Sequence, residues 1–151
     1  MGFFDFVKEA GEKLIEKYSG AEETRRQVEE GLKNRVKEMG LNVEDFSAQY
    51  HDGIATITGK ALSQEEREKV VLLVGNTRGI GRVDDQLTVE DTTPESELHT
   101  VKSGDTLSKI AKQYYGNAGK YMVIFEANKP MLKDPNKIYP GQVLRIPPKK
   151  S

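Results

Sequence analysis

The chain has 151 residues, a length that suits one large domain or two small ones. Hydrophobic residues make up 36% and the 14 glycines add about 9%, a composition that excludes a largely disordered protein and contains no apolar run long enough to cross a bilayer. The 23 basic and 24 acidic side chains nearly cancel, which argues against nucleic acid as a partner. The lack of cysteine excludes disulfides, thiol catalysis and cysteine-ligated metals.

The first residues predict a cytoplasmic protein. Asp5, Lys8 and Glu9 interrupt the apolar start of the chain, so it lacks the unbroken apolar core of a secretory signal. Gly2 suits myristoylation, but Phe6 stands where that motif needs serine or threonine. We therefore expect a cytoplasmic location and no stable membrane insertion.

The charge of the chain changes sign at a predicted linker. Residues 1–91 contain 13 basic and 19 acidic side chains, a net charge of -6, and residues 92–151 contain 10 and 5, a net charge of +5. Residues 92–97 are polar and include a proline, which is typical of a linker. Opposite charges favour contact between the two halves, although salt weakens this attraction. We predict three units around the linker: residues 1–21, 22–91 and 98–148.

The first unit is predicted to contain a short amphipathic helix over residues 3–18. Its apolar side chains follow helical spacing, at Phe3, Phe6, Val7, Ala10, Leu14 and Tyr18. Gly11 weakens the middle of this helix. Because exposed phenylalanines are unfavourable, we expect the segment to dock on the domain that follows.

The second unit is predicted to fold as helix, hairpin, helix and strand. The predicted elements are a helix at 22–39, strands at 46–50 and 54–59, a helix from 63 to 75 and a strand at 83–89. Asp52-Gly53 is a hairpin turn sequence, and Ser63 with Glu66 forms a capping box. A glycine-rich loop at 75–81 connects the last helix to the last strand. This order predicts an α+β sandwich with its helices on one sheet face.

The third unit is predicted to fold as strand, helix, helix and strand. The strands lie at 99–102 and 143–146, the first helix begins at Asp105 or Thr106, and the second passes through 121–128. A domain of roughly 50 residues has a thin core, so docking on the second unit would stabilise it.

The third unit resembles a LysM domain from end to end. The resemblance rests on the sequence HTVKSGDTL at 99–107 and the sequence IYPGQVLRIP at 138–147. It implies a fold of the βααβ type and a groove for glycans that contain N-acetylglucosamine. The groove residues implied here are Gly104, Asp105, Thr106, Asn136, Lys137, Ile138 and Tyr139.

The second unit resembles a BON domain. The resemblance rests on the order of its elements, on Gly59 after the hairpin, and on Gly79-Ile80 before the strand sequence VDDQLTV. BON domains are often associated with envelopes and phospholipid.

The whole chain is similar to the small cytoplasmic bacterial potassium-binding proteins, which place one BON domain before one LysM domain. The sequence GFFDFVKEAGEKL at 2–14 contributes to this resemblance. It implies a K⁺ sensor or buffer that changes conformation and interdomain docking on binding K⁺, with Rb⁺ or Cs⁺ able to substitute, and a part in the stress response. It also implies a cage of backbone carbonyls from Val7, Ala10, Glu12, Gly75, Thr77 and Ile80. An apolar residue would be usual at Thr77, but a carbonyl ligand should depend little on its side chain.

The residues themselves are compatible with such a site. Potassium prefers neutral oxygen ligands, and backbone carbonyls replace its hydration shell well. Helix ends supply carbonyls without amide partners and with partial negative charge, and glycine turns allow close approach of the backbone. The chain offers both around Gly11 and at 75–81, although the same features also suit a plain helix break and a connection.

Two other functions compete with potassium binding. The LysM resemblance alone favours a module of the envelope that binds peptidoglycan or N-acetylglucosamine. An accessory factor without a ligand is the other alternative. With two histidines and no cysteine, a catalytic triad or zinc site would need an unusual arrangement, and we expect no enzyme.

Overall fold

A computed structural model of the chain describes residues 2–8, 10–11, 22–90 and 96–148. Its helices are α1 (Glu22–Glu38), α2 (Gln64–Gly75), α3 (Leu107–Tyr115) and α4 (Tyr121–Ala127), with one turn of 3-10 helix at Ala118–Lys120. Its strands are β1 (Gly2–Asp5), β2 (Val43–His51), β3 (Ile54–Ala61), β4 (Arg82–Val89), β5 (Glu97–Thr100) and β6 (Val143–Ile146). The predicted α+β class is confirmed.

The first four strands form one sheet in the order β1-β4-β3-β2. Strands β2 and β3 form the predicted hairpin, and its turn has the positive φ values that asparagine, aspartate and glycine tolerate, 47° at Asp52 and 78° at Gly53. Strands β3 and β4 are parallel, and α2 makes the crossover between them. Alternate side chains of the two strands are buried, among them Ile57 and Leu87, and they pack with Leu32 of α1 in one core.

The helix predicted over 3–18 is wrong at its beginning. Residues 2–5 form β1, which pairs antiparallel with the open edge of β4, so that Asp5 faces Arg82. The side chains alternate as in a strand: Phe4 packs against the core while Phe3 is 67% exposed. Unpaired backbone groups at a sheet edge attract a further strand, and here that edge overrides the helical spacing. Residues 12–18 of the predicted helix lie outside the described residues.

Both ends of α2 follow from local chemistry. The Ser63 side chain accepts a hydrogen bond from the Glu66 N–H at 3.1 Å, as the predicted cap requires. The Glu66 carboxylate does not return to Ser63 but accepts from the Asn42 N–H at 3.1 Å, so the box is only half formed. At the other end, every residue from Val70 to Gly75 is buried, and the glycine-rich loop begins there.

The last two strands, β5 and β6, pair antiparallel beside α3 and α4. Thr106 caps α3 by accepting from the Lys109 N–H at 3.1 Å, and Gly116 ends the helix with a φ of 72°. Ile110, Ile124 and other apolar side chains form a core of their own. The predicted order βααβ is confirmed, with the first strand two residues earlier than expected.

Side chains from the two halves of the chain lie in contact beyond the linker. The Glu68 carboxylate of α2 lies 2.9 Å from the Arg145 guanidinium of β6, and it also accepts from the Ser96 N–H at 2.9 Å. Most of the linker, residues 92–95, lies outside the described residues. Within the part of the chain that the structure covers, no helix combines the length and apolar character needed to span a membrane.

Candidate functional site

The segment that follows β1 lies along the glycine-rich loop at 75–81. The Phe6 N–H donates to the Gly81 carbonyl at 3.0 Å, and the Lys8 carbonyl accepts from the Gly79 N–H at 2.7 Å. Both hydrogen bonds keep the antiparallel register of β1 and β4, in which each step forward on one segment is a step back on the other. The sheet edge therefore carries the N-terminal segment directly onto the loop.

This register also brings together carbonyls that the family resemblance implies. Continued along the chain, it places Val7 opposite Ile80 and Ala10 opposite Thr77. Glu12 lies outside the described residues. The other five lie on two segments in direct contact, which is what a shared cage of carbonyls requires.

At Gly11 the two segments lie very close together. Its φ of 98° is one that side-chain-bearing residues rarely adopt. A Cβ atom at this position would also overlap the carbonyl oxygen of Asn76. Glycine at this position is therefore required twice, once by the backbone angle and once by the neighbouring peptide.

The C-terminal end of α2 presents a buried carbonyl at the loop. Three of the last four carbonyls of the helix accept hydrogen bonds from described residues, and the fourth has no donor among them. Leu72 accepts from the Asn76 N–H at 2.8 Å, Leu73 from the Thr77 hydroxyl at 3.0 Å, and Val74 from the Thr77 N–H at 3.2 Å. No group among the described residues donates to the carbonyl of Gly75, which is buried and lies at the negative end of the helix dipole.

The other four carbonyls differ in what already binds them. The Val7 carbonyl accepts from the Ala10 N–H, and the Thr77 carbonyl accepts from the Ile80 N–H, both at 3.1 Å. A carbonyl has two lone pairs, so each of these oxygens keeps one for a further ligand. The carbonyls of Ala10 and Ile80 accept from no described donor.

The LysM-like half touches both segments through residues that the sequence did not single out. The buried Asn76 side chain pairs with the backbone of Val143 in β6, donating to its carbonyl and accepting from its N–H, both at 2.8 Å. A Cβ atom on Gly141 would lie 2.9 Å from the Cβ of Ala10 and 3.4 Å from that of Val7. An asparagine in a glycine-rich loop suggests a turn, so the sequence held no signal for this role.

The implied glycan residues lie on two surface loops of the second half. Four are exposed and three are half-buried: Gly104, Thr106, Asn136 and Lys137, and then Asp105, Ile138 and Tyr139. The Asp105 carboxylate accepts from the Lys102 N–H at 2.9 Å and lies 3.1 Å from Nε2 of His99. These hydrogen bonds hold the pKa of Asp105 below its ordinary value, the one from the Lys102 amide most of all. Asp105 therefore fixes the turn before α3.

Comparison with known proteins places both halves in families. Residues 22–91 match the BON domain and residues 99–147 match the LysM domain. The potassium binding protein Kbp of Escherichia coli O6:H1 is 51% identical over 148 residues, which cover 97% of this chain and 99% of that protein. The chain belongs to the Kbp family. Both domain resemblances stated from the sequence are thereby confirmed.

Two further relatives share only part of the chain. An endolysin of Bacillus phage B103 is 34% identical over 85 residues, 56% of this chain and 29% of that protein. An uncharacterized protein of Deinococcus radiodurans is 50% identical over 50 residues, 33% of this chain and 19% of that protein. Among the described residues, no three histidine, aspartate or glutamate side chains gather into a metal-binding group.

Proposed function

We propose that this protein binds K⁺ in the cytoplasm, as a sensor or buffer, through backbone carbonyls of the N-terminal segment and the 75–81 loop. One observation carries the proposal: the buried Gly75 carbonyl, at the negative end of α2, accepts from no described donor and lies beside the segment that contains Val7 and Ala10. The near full-length similarity to the potassium binding protein Kbp supports it independently.

The ligand set suits a large monovalent ion. Neutral carbonyl oxygens replace the hydration shell of K⁺ without adding formal charge, and the helix dipole adds a partial negative potential. The proposed ligands are the carbonyls of Val7, Ala10, Glu12, Gly75, Thr77 and Ile80. We expect Rb⁺ and Cs⁺ to substitute, whereas Na⁺ and Li⁺ are smaller and more strongly hydrated and should bind poorly.

The ion is also proposed to change conformation and strengthen docking of the LysM domain on the BON domain. An ion shifts such an equilibrium only by its different affinity for the two states. We expect the ion to act on docking through Gly141, because this residue of the LysM domain packs against Val7 and Ala10, two of the proposed ligand residues.

Thermal unfolding in KCl and in NaCl at equal ionic strength tests the binding proposal. A ligand that binds only the folded state stabilises it by about 2.7 kcal/mol at a hundred times its dissociation constant, so the unfolding midpoint should rise in KCl. RbCl and CsCl should reproduce much of the rise and LiCl should not. Identical curves in KCl and NaCl would overturn the proposal.

Glycan binding by the LysM domain is the second candidate, and the match to that family favours it. Its residues lie on the two exposed loops described above. Calorimetric titration with N-acetylglucosamine oligomers, beside titrations with KCl and NaCl, separates the two functions. Binding heat in the titration with oligomers but not with KCl, together with retention of the protein on peptidoglycan, would favour an envelope module. Cell fractionation would show whether the protein reaches the wall.

A further inference from the structure

We infer that the Asn76 side chain couples the proposed ion site to the LysM domain, so that β6 acts as a structural support for the carbonyl cage. The inference rests on the proposed function, since it concerns the regulation of that same site. It assigns to Asn76 a positioning role in ion binding, exerted through the peptide groups on either side of it.

The Asn76 side chain forms, at the free edge of β6, the pair of hydrogen bonds that a neighbouring strand would form with Val143. Its amide oxygen accepts from the Val143 N–H and its amide nitrogen donates to the Val143 carbonyl, both at 2.8 Å. Only 5% of the residue is exposed, so breaking this pair would leave buried polar groups without partners. The two hydrogen bonds fix the side chain in both position and orientation.

The same residue determines where the Gly75 carbonyl points. The Gly75 carbonyl and the Asn76 N–H belong to one planar trans peptide, so they point in opposite directions. The Asn76 N–H is held by the Leu72 carbonyl at 2.8 Å, and the side chain is held by β6. Anchored at both ends, the residue cannot rotate without losing a buried hydrogen bond.

The support from the LysM domain extends to the other side of the cage. Gly141, two residues before Val143, packs against Ala10 and Val7 of the N-terminal segment. Residues 141–143 therefore contact both segments that contribute carbonyls. Because coupling between two equilibria is reciprocal, K⁺ that orders the cage should order this edge of β6 to the same extent.

The test uses the full chain with Asn76→Ala, titrated with KCl by calorimetry and followed by hydrogen exchange at the Gly141 amide, which donates to the Val101 carbonyl at 2.8 Å and not to Asn76. A coupling of ordinary size weakens K⁺ binding by about tenfold. In the wild type, K⁺ should slow exchange at Gly141 more than Na⁺ does, and in Asn76→Ala this difference should disappear. A purely structural role would lower stability but leave the K⁺-specific response at Gly141.

Asn128 provides a matched control on the same edge of β6. Its amide makes the same pair with Arg145, donating to the carbonyl at 2.9 Å and accepting from the N–H at 2.8 Å, but it lies within the LysM domain. Asn128→Ala should therefore speed exchange at Arg145 while K⁺ affinity stays close to that of the wild type. An equal loss of affinity in both variants would overturn the inference, because general weakening of β6 would then explain it.

Asn76→Asp covers the case in which Asn76→Ala fails to fold. Aspartate keeps the oxygen that accepts from Val143 but places a second oxygen against the Val143 carbonyl, where the amide donated, so we expect a loss of K⁺ affinity. Wild-type K⁺ affinity in either folded variant would overturn the inference and leave the proposed function intact. Absence of K⁺ binding by the wild type would overturn both.

Discussion

Gly11 and Gly104 have nearly the same backbone angle in different surroundings. Their φ values are 98° and 89°, but a Cβ atom on Gly11 would overlap the Asn76 carbonyl, whereas one on Gly104 would meet nothing within 4 Å. Both alanine variants should lose about 1–3 kcal/mol of stability from the unfavourable φ. We expect only Gly11→Ala to push the N-terminal segment away from the loop.

Calorimetric titration with KCl measures that difference. If Gly11→Ala leaves the binding-competent state populated at one part in ten, the apparent K⁺ affinity falls by about tenfold. Gly104→Ala should bind K⁺ as the wild type does. Equal affinities in the two variants would show that contact at Gly11 is not needed for the ion.

A substitution at Thr77 distinguishes a carbonyl ligand from a hydroxyl ligand, because this residue has both groups. The residue is fully buried, and its hydroxyl donates to the Leu73 carbonyl at 3.0 Å, so the hydroxyl already has a structural role. Thr77→Val should cost about 1 kcal/mol, since that carbonyl loses a buried hydrogen bond. K⁺ affinity at a temperature where the variant is folded should change little, and complete loss of binding would instead indicate a hydroxyl ligand.

At the scale of elements, local signals predicted most of the fold. The Ser63 cap and the Asp52-Gly53 turn are local, because the residues that form them lie within a few positions of each other. Strand β1 was mistaken for a helix because its partner β4 lies far along the chain, and no local pattern reveals an open sheet edge.

The candidate site shows the same difference between local signals, which the sequence displays, and long-range contacts, which it does not. The residues themselves indicated the two segments, around Gly11 and at 75–81, and the family resemblance joined them and named the carbonyls. Their register is a tertiary property that the sequence does not display. The role of Asn76 depends on Val143, whose backbone partners carry no side-chain signature. The sequence, together with the family resemblance, therefore predicted the residues of the proposed cage but not the contact between Asn76 and Val143.

The turn between β5 and α3 predicts a pH dependence. Because the Lys102 N–H and then His99 hold the pKa of Asp105 below its ordinary value of 3.8, the folded state favours the ionised carboxylate. This stabilisation is present above pH 3.8 and is lost as the pH falls through the lower, folded-state pKa. Asp105→Asn should unfold at a lower temperature than the wild type at pH 7.

Thermal unfolding across pH measures this linkage. The gap between wild type and Asp105→Asn should be constant near neutrality and close as the pH falls below 3.8, where the wild-type carboxylate becomes protonated as well. A gap of the same size at pH 7 and at low pH would mean that the charge of Asp105 contributes nothing to the turn.

At the scale of the whole molecule, one buried ion pair joins α2 to β6. Arg145 and Glu68 are only 8% and 10% exposed as side chains, and their nitrogen and oxygen atoms lie 2.9 Å apart. The guanidinium also donates to the Ala127 carbonyl at 3.0 Å, and Glu65 lies 3.7 Å away but is largely exposed. Removal of the Glu68 charge would therefore leave Arg145 buried with a weaker counterion.

Glu68→Gln should lower the free energy of unfolding by about 3 kcal/mol, because an uncompensated buried charge costs more than the pair contributes. Exchange at the Ser96 amide, which donates to Glu68, should quicken in the same variant. Glu90→Gln is the control, since the Lys60–Glu90 pair has a similar distance of 2.8 Å but lies in solvent, where such pairs contribute little. Urea unfolding curves that shift equally for both variants would show that Glu68–Arg145 contributes no more than a surface pair. Other contacts, among them Asn76 with Val143 and Met131 against the core of the BON domain, would then hold the two domains together.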